Sequence, residues 1–385
     1  IDLFRRIRKT NHYNIMGGGL INIVEYGAQD EYLSGDPDIT FFKVAYRKHA
    51  NFAMETIQQD LNISGNDAVC NIRRDGDLII NAWIECENTD PDVDKRTGLQ
   101  KRDRNGDPVI KHRDGTEMID KVEFLIGGQL IETHYGAWYK MWNELSTHRR
   151  NIDGYNMLIN KNKMNKTNKA YIPLKFFFCK STGLALPLIA LKYHEVSIKI
   201  TFTDTNVTNK KLYVDYVFLE QEERIRFAQK DHDILIEQVQ YSGKPDFLRN
   251  NKFLQFSHPV KELIWSYAGN PKLKGDDYKR SKTGKEISIK LNDFYKIKDR
   301  EDMYFTHIQP YQHHSNVPES GNIYTYSFAL KPEEYQPTGS CNFSRLRTAQ
   351  ILSNDPKYGL GIEVYAINYN VLKITSGMGG LLFAT

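Results

Sequence analysis

Apolar and polar positions alternate with a period of two over much of this chain, and a helical period replaces that rhythm at two points. Val196, Ile198, Ile200 and Phe202 alternate with Glu195, Ser197, Lys199 and Thr201, the pattern of an antiparallel strand with one buried face. Leu78, Ile80, Ala82, Ile84 and Cys86 share one face of another strand, whose second face carries Ile79 and Trp83 beside Asn81 and Glu85. Between Val122 and His134 the strings VEFLI and QLIETH flank Gly127-Gly128, a two-residue hairpin turn where positive φ is free of steric cost. Further strands are expected at Ile39–Tyr46, twice within Tyr171–Phe202, and at Val260–Tyr267 and Ile287–Leu291. The series continues with Phe305–Gln309, Ile323–Leu330, Ser344–Leu352 and Ile362–Ile374. The stretches Asn88–Asp120 and Asn151–Lys169 are polar and read as long surface loops.

The first helical interruption is Gly136–His148, where Trp138, Met141, Trp142 and Leu145 recur at i, i+3, i+4 and i+7. The second lies within Tyr213–Tyr241. Val214, Tyr216 and Phe218 alternate as a strand, the segment from Glu220 is charged and helical, and Ile234, Leu235, Ile236 and Val239 resume the strand. Glu220 and Glu222 stand four residues before Arg224 and Arg226, a spacing that supports a short helix locally. A charged strap thus joins two strand-rich regions, each expected to have its own core. The strings KFFFC and YTYSFAL, followed by STG and PTG, give the halves a faint internal echo of aromatic strand and Gly-containing connection. Short strands at regular spacing point to all-β sandwiches or jelly rolls, two of them, rather than a βαβ fold.

Composition changes this picture little. Of 385 residues 12% are aromatic, which favours β structure, and no apolar run approaches the ~20 residues of a membrane-spanning helix, so the chain reads as soluble. The net charge is +4, but Ile1–Ile15 alone carries +3, leaving a nearly neutral body ill-suited to nucleic acid. That basic head precedes Met16-Gly17-Gly18-Gly19, which looks like a natural start. Met16-Gly17 lacks the Ser or Thr that a myristoylation signal needs at Ile21. Cys70, Cys86, Cys179 and Cys341 form no CxxC pair and read as free thiols in a reducing compartment.

Candidate chemistry is sparse. Nucleophile-elbow, zincin, Walker, dinucleotide and calcium-loop motifs are absent from the sequence. His313-His314 suggests a metal, yet neighbours in a strand point to opposite faces. Glu333-Glu334 could be a carboxylate pair for glycoside hydrolysis, but a turn with solvated charges is the simpler reading. Arg47-Lys48-His49 reads as a solvated strand end. Asn62, Asn165, Asn206 and Asn342 head glycosylation sequons, a motif common by chance. A large, neutral, aromatic-rich β tandem without a catalytic constellation points to surfaces as its function.

Longer strings are more specific. YGAQDEYLSGDPDITFFKVAYRKHANFAME (Tyr26–Glu55) resembles the N-terminal signature of the major capsid proteins of nucleocytoplasmic large DNA viruses, the iridovirus, phycodnavirus and giant-virus lineages. The resemblance continues in RRDGDLI, HYGAWYKMWNEL, GLALPLIALKYHEVSI and ERIRFAQKDHDILIEQVQ. It then runs through IQPYQHHSNVPESGNIYTYSFALKPEEYQPTGSCNFSRL and YAINYNVLKITSGMGGL, in order, over nearly the whole chain. It implies an all-β double jelly roll of two eight-stranded sandwiches: an arm at 1–25, a first jelly roll at 26–219, a connecting helix at 220–230 and a second jelly roll at 231–385. It further implies a homotrimer with pseudo-hexagonal outline that meets neighbouring capsomers in an icosahedral shell. Minor capsid and penton proteins, and nearness to an inner viral membrane, are the other implied partners. The implied place is the virion, assembled in the host cytoplasm. No catalytic, cofactor-binding or metal-binding residues come with the family, and no specific nucleic acid. The second half looks short for the family, chiefly in loops such as Gly269–Lys285, so little outer decoration is expected. The alternatives are a carbohydrate-binding or carbohydrate-active β-sandwich and a related minor capsid protein.

Overall fold

In the computed structural model the described residues are 23, 26–94, 99–103, 108–164, 167–243, 251–267, 286–319, 322–353 and 361–383. The basic head, the Met16 glycine run, the Asn165 sequon and the Gly269–Lys285 loop lie outside them. Two compact units are present, residues 1–50 and residues 51–385.

In the first unit, α1 (Glu31–Ser34) is a single turn, opened by Gly27 N–H donating to Asp30 Oδ2 at 2.8 Å. The expected strand at Ile39–Tyr46 is not formed: 44–50 has no regular structure, and Phe41, Phe42 and Tyr46 are exposed. Strand propensity gives a ladder only where a second backbone supplies partners, and residues 26–50 contain no other strand to supply them. Arg47-Lys48-His49 is accordingly an exposed coil rather than a strand end.

The second unit holds both sandwiches. The first contains β1 (Phe52–Gln59), β2 (Asn62–Ser64), β3 (Asp67–Asn71), β4 (Leu78–Asn88) and β5 (Ile119–Ile126). It is completed by β6 (Gln129–Tyr135), β7 (Lys169–Pro173), β8 (Leu186–Pro187), β9 (Val196–Phe202) and β10 (Val207–Leu219). Its sheets have the orders β1-β10-β4-β7, with β8 beside β4, and β2-β3-β9-β5-β6. The second contains β11 (His232–Tyr241), β12 (Asn251–Phe253), β13 (Pro259–Tyr267), β14 (Glu286–Leu291) and β15 (Phe294–Glu301). There follow β16 (Tyr324–Ser327), β17 (Cys341–Asn342), β18 (Ala349–Ser353), β19 (Ile362–Thr375) and β20 (Met378–Leu381). These give β11-β19-β13-β16, with β17 on β13 and β20 on β19, and β12-β18-β14-β15. The pairings are antiparallel throughout, as the sequential hairpin and Greek-key connections require.

Local sequence explains the best-defined elements. Gly127 and Gly128 take φ of 58° and 81° and close β5 onto β6. Strand β9 buries Val196, Ile198, Ile200 and Phe202 against Phe124, which also packs on Phe176, Phe177 and Phe178 at ring distances of 5.2, 6.1 and 5.3 Å. Helix α2 (Gly136–Ser146) turns its Trp138, Met141, Trp142 and Leu145 stripe inward, and all four are buried.

Four other expectations change. The Asn151–Lys169 stretch contains α3 (Ile152–Leu158), so it is not one loop. Phe305–Gln309 lies in a wide helical turn leading into α5 (Gln309–His313), and KFFFC ends in a tight turn at Phe177–Cys179 rather than a strand. YTYS alone forms a strand, so the internal echo is not structural. At KFFFC and at Phe305–Gln309 a short apolar run buries its rings from a turn, which periodicity cannot separate from a strand.

Candidate functional site: the seam between the sandwiches

The feature that shapes this molecule is the face along which the two sandwiches meet. Strand β19 reads IEVYAINYNVLKIT, without clean alternation, because both of its faces are covered. Ile362, Val364 and Ala366 enter the core of the second sandwich with Val260, Leu263 and Trp265. Tyr365 and Ile367 point the other way and, with Leu372 and Ile374 farther along the strand, join a cluster that also holds Phe124, Trp138, Trp142 and Phe176 of the first sandwich. Ile236 and Val239 of β11 and Ile264 of β13 join that same cluster. The expectation of one separate core per sandwich is therefore corrected: the larger core spans both. Burial at roughly 25 cal/mol per Å2 makes such a shared face far stronger than a strap alone.

Charges are buried within this apolar face. Glu237 of β11 lies between Lys180 of the first sandwich and Lys261 of β13, in ion pairs with both ammonium groups. A register shift between Val260 and Glu262 sets Lys261 at a bulge, and Lys261 and Glu262 are both completely buried. Burial alone would raise the Glu237 carboxyl, but the two lysines outweigh it and hold the group below the ordinary carboxylate range. Burial lowers Lys261 to about 8, against the pull of Glu237. Aromatic faces help to solvate both cations, with Lys180 Nζ 5.7 Å from the Trp142 ring centre and Lys261 Nζ 5.7 Å from that of Tyr369.

A second group adjoins the first. His314 follows α5 and is closed off from solvent, with Nε2 at 2.5 Å from Glu262 Oε1 and Nδ1 at 2.9 Å from Glu333 Oε1. Its ring meets the edge of Trp142 at 6.2 Å. Two residues on, Asn316 N–H donates to the Leu145 carbonyl at 3.0 Å and its side-chain Nδ2 to the Glu144 carbonyl at 2.9 Å. Residues 313–316 of the second sandwich thus cap the C-terminal turn of α2 in the first.

An amide ladder fills the middle of the seam. Gln238 donates to the Ile131 carbonyl of the first sandwich and accepts from Asn370 Nδ2 at 2.9 Å. Gln240 Nε2 donates to Asn368 Oδ1 at 2.9 Å. At its end, β20 folds back on the first sandwich: Tyr193 N–H donates to the Gly377 carbonyl and His194 Nδ1 lies 2.9 Å from the Gly379 carbonyl. Gly379 is needed there, since a Cβ would sit 2.6 Å from Leu191 Cδ2 and 3.3 Å from Ile126 Cγ2. Gly379→Val should destabilise the chain by about 1–3 kcal/mol through overpacking, read by urea unfolding, whereas Gly154→Val, with open space around its Cβ, should cost less.

The strap itself is α4 (Gln221–Gln229), as its charge pattern suggests. Arg224 Nε pairs at 2.9 Å with Asp77 Oδ1, so the helix is tied to the first sandwich. The buried Asp77 also accepts from Leu219 N–H through Oδ2 at 2.9 Å.

The residues singled out from sequence separate clearly. His313-His314 sits at a helix end, not on a strand; His313 Nδ1 lies 3.0 Å from the Leu330 carbonyl, while His314 enters the seam. Glu333 is not a solvated charge, because His314 and Ser315 hold it, whereas Glu334 is exposed and pairs with Lys331 at 2.8 Å. Glu237, Lys180, Lys261, Gln238 and Asn370 were missed. Apart from Lys180, which follows the Phe177–Cys179 turn, their signal was polar residues within otherwise apolar strands, Lys261-Glu262 above all.

Comparison with known proteins agrees with this architecture. Residues 40–220 match a family described as major capsid protein N-terminus, and residues 223–380 one described as large eukaryotic DNA virus major capsid protein. The chain is 40% identical to the major capsid protein of Pyramimonas orientalis virus, over 96% of this chain and all of that one. It is 36% identical to the major capsid protein of Paramecium bursaria Chlorella virus 1, with the same coverage. Among solved structures, the PBCV-1 VP54 crystal structure fitted into a cryo-EM reconstruction of the virophage Sputnik superposes with a TM-score of 0.75 at 32% identity, covering 90% of this chain and all of that one. Full-length relatives of this kind displace the carbohydrate-directed alternative. With its double jelly roll welded along one sheet face, this chain belongs to the major capsid proteins of the large eukaryotic DNA viruses, structural components of the virion shell.

Proposed function

We propose that the chain acts as a homotrimeric tile, three copies forming a pseudo-hexagonal capsomer that packs against neighbours in an icosahedral shell. The observation that carries this reading is the seam, because a threefold assembly has six near-equivalent corners only if each chain presents two similar lobes at a fixed angle. The lobes proposed are 26–219 and 231–385, with 220–230 as connector and 1–25 as arm. In this reading minor capsid and penton proteins meet the capsomer within the particle, the inner side faces the viral membrane, and assembly takes place in the host cytoplasm. Light scattering on purified protein tests it: the expected mass is three times the 44.7 kDa of one chain. A monomer at micromolar concentration would contradict it.

A further inference from the structure

The group around His314 does more than fill space. Both ring nitrogens face carboxylate oxygens, so both must carry protons for the two contacts to be hydrogen bonds, and the geometry itself selects the imidazolium. Take one proton away and one carboxylate faces a lone pair. Glu262 could not adapt, since it is fully buried and its Oε2 has no hydrogen-bond partner among the described residues. The groups facing His314 are Glu262 of β13, Glu333, which also accepts from Ser315 N–H at 2.9 Å, and the ring of Trp142 from α2. The next charges along the seam are Lys261, Glu237 and Lys180.

We infer that His314, Glu262 and Glu333 form a proton-operated clamp, which in its protonated state holds residues 313–316 on the end of α2 and releases them when His314 loses a proton. Its consequence is a joint between the sandwiches that is rigid at neutral pH and loosens in alkali. Burial alone would lower the His314 pKa, but Glu262 and Glu333 overcome that and raise it to about 9. The sign follows: the stabilisation is complete below the ordinary histidine value of 6.5 and is lost as pH rises through about 9. Lys261 titrates nearby with the opposite sign, because its lowered value favours the folded chain as pH rises above about 8.

Hydrogen-exchange protection factors of residues 140–147 and 313–316, followed from about pH 7 to about pH 10 on the full chain, test the clamp. In the wild type, protection of the Asn316 amide and the last turn of α2 should fall on the order of tenfold, with a midpoint near 9. Glu333→Gln, at a partly exposed position that keeps the fold, should move that midpoint down by on the order of one pH unit. His314→Gln should show no transition in this window, and Lys261→Met should retain the wild-type one. An unchanged midpoint in Glu333→Gln overturns the inference, as does a wild-type transition in His314→Gln. If His314→Gln fails to fold, the Glu333→Gln midpoint alone decides.

Discussion

Glu237→Ala is expected to destabilise the chain by about 3–5 kcal/mol, the cost of leaving buried charge without its partner. Lys261 is fully buried and Lys180 mostly so, and without Glu237 the two ammonium groups would face each other across an apolar seam. Urea unfolding at neutral pH measures the loss. The pH dependence identifies its cause. Lys261 is already lowered to about 8, and removing Glu237 removes an interaction that raises it, so the variant should recover part of its deficit as the solution becomes alkaline. In the wild type Glu237 contributes in the opposite range: its folded value is depressed, so its stabilisation is present above the ordinary carboxylate range and lost on acidification through the lower folded value. Replacing the whole group, with Glu237→Leu, Lys180→Met and Lys261→Met together, should be near neutral or stabilising. A triple variant as unstable as the single one would show that the charges are not the source of the effect.

Trp142→Ala should cost a similar amount, about 3–5 kcal/mol, and should also change how the chain unfolds. The ring stacks on Trp138 at 5.9 Å, meets His314 and lies under Lys180, so one side chain touches both sandwiches. Trp265→Ala is the control, because Trp265 is equally buried but packs on Phe305 and Tyr324 within the second sandwich. With the seam intact, a core shared between sandwiches couples their unfolding into one transition. Trp142→Ala should split it in two and expose the strap at Gln221–Gln229 to limited proteolysis. Trp265→Ala should lower stability without exposing the strap first. Equal strap cleavage in the two variants would mean that the seam does not set the coupling.

What the sequence made legible follows from how local each signal is. The Gly127-Gly128 hairpin, the Trp138–Leu145 stripe and the strand-helix-strand joint depend on neighbours within about ten residues, and each formed where periodicity placed it. The seam depends on pairs far apart in the chain, such as Lys180 with Glu237 and Glu262 with His314. A charged residue read alone is most simply solvated, which is why Glu333 reads from sequence as part of an open turn. The useful clue was positional. Lys261-Glu262 and Asn368 to Asn370 interrupt strands that are otherwise apolar on both faces, which implies a second buried surface with polar partners. Aromatic runs misled in the other direction: Phe177–Cys179 and Tyr304–Ile308 bury rings from helical turns, and Ile39–Tyr46 stays exposed with no strand within residues 26–50.

In the proposed tile one chain supplies two lobes locked at a fixed angle, so that three chains make six corners. A single-particle reconstruction of the purified oligomer tests it most directly. The expected map has threefold symmetry and six sandwich lobes, with Glu237, Lys261 and His314 enclosed within each chain and the same angle between its lobes in every particle class. A monomer, or classes in which the two lobes of a chain swing relative to each other at neutral pH, would contradict it.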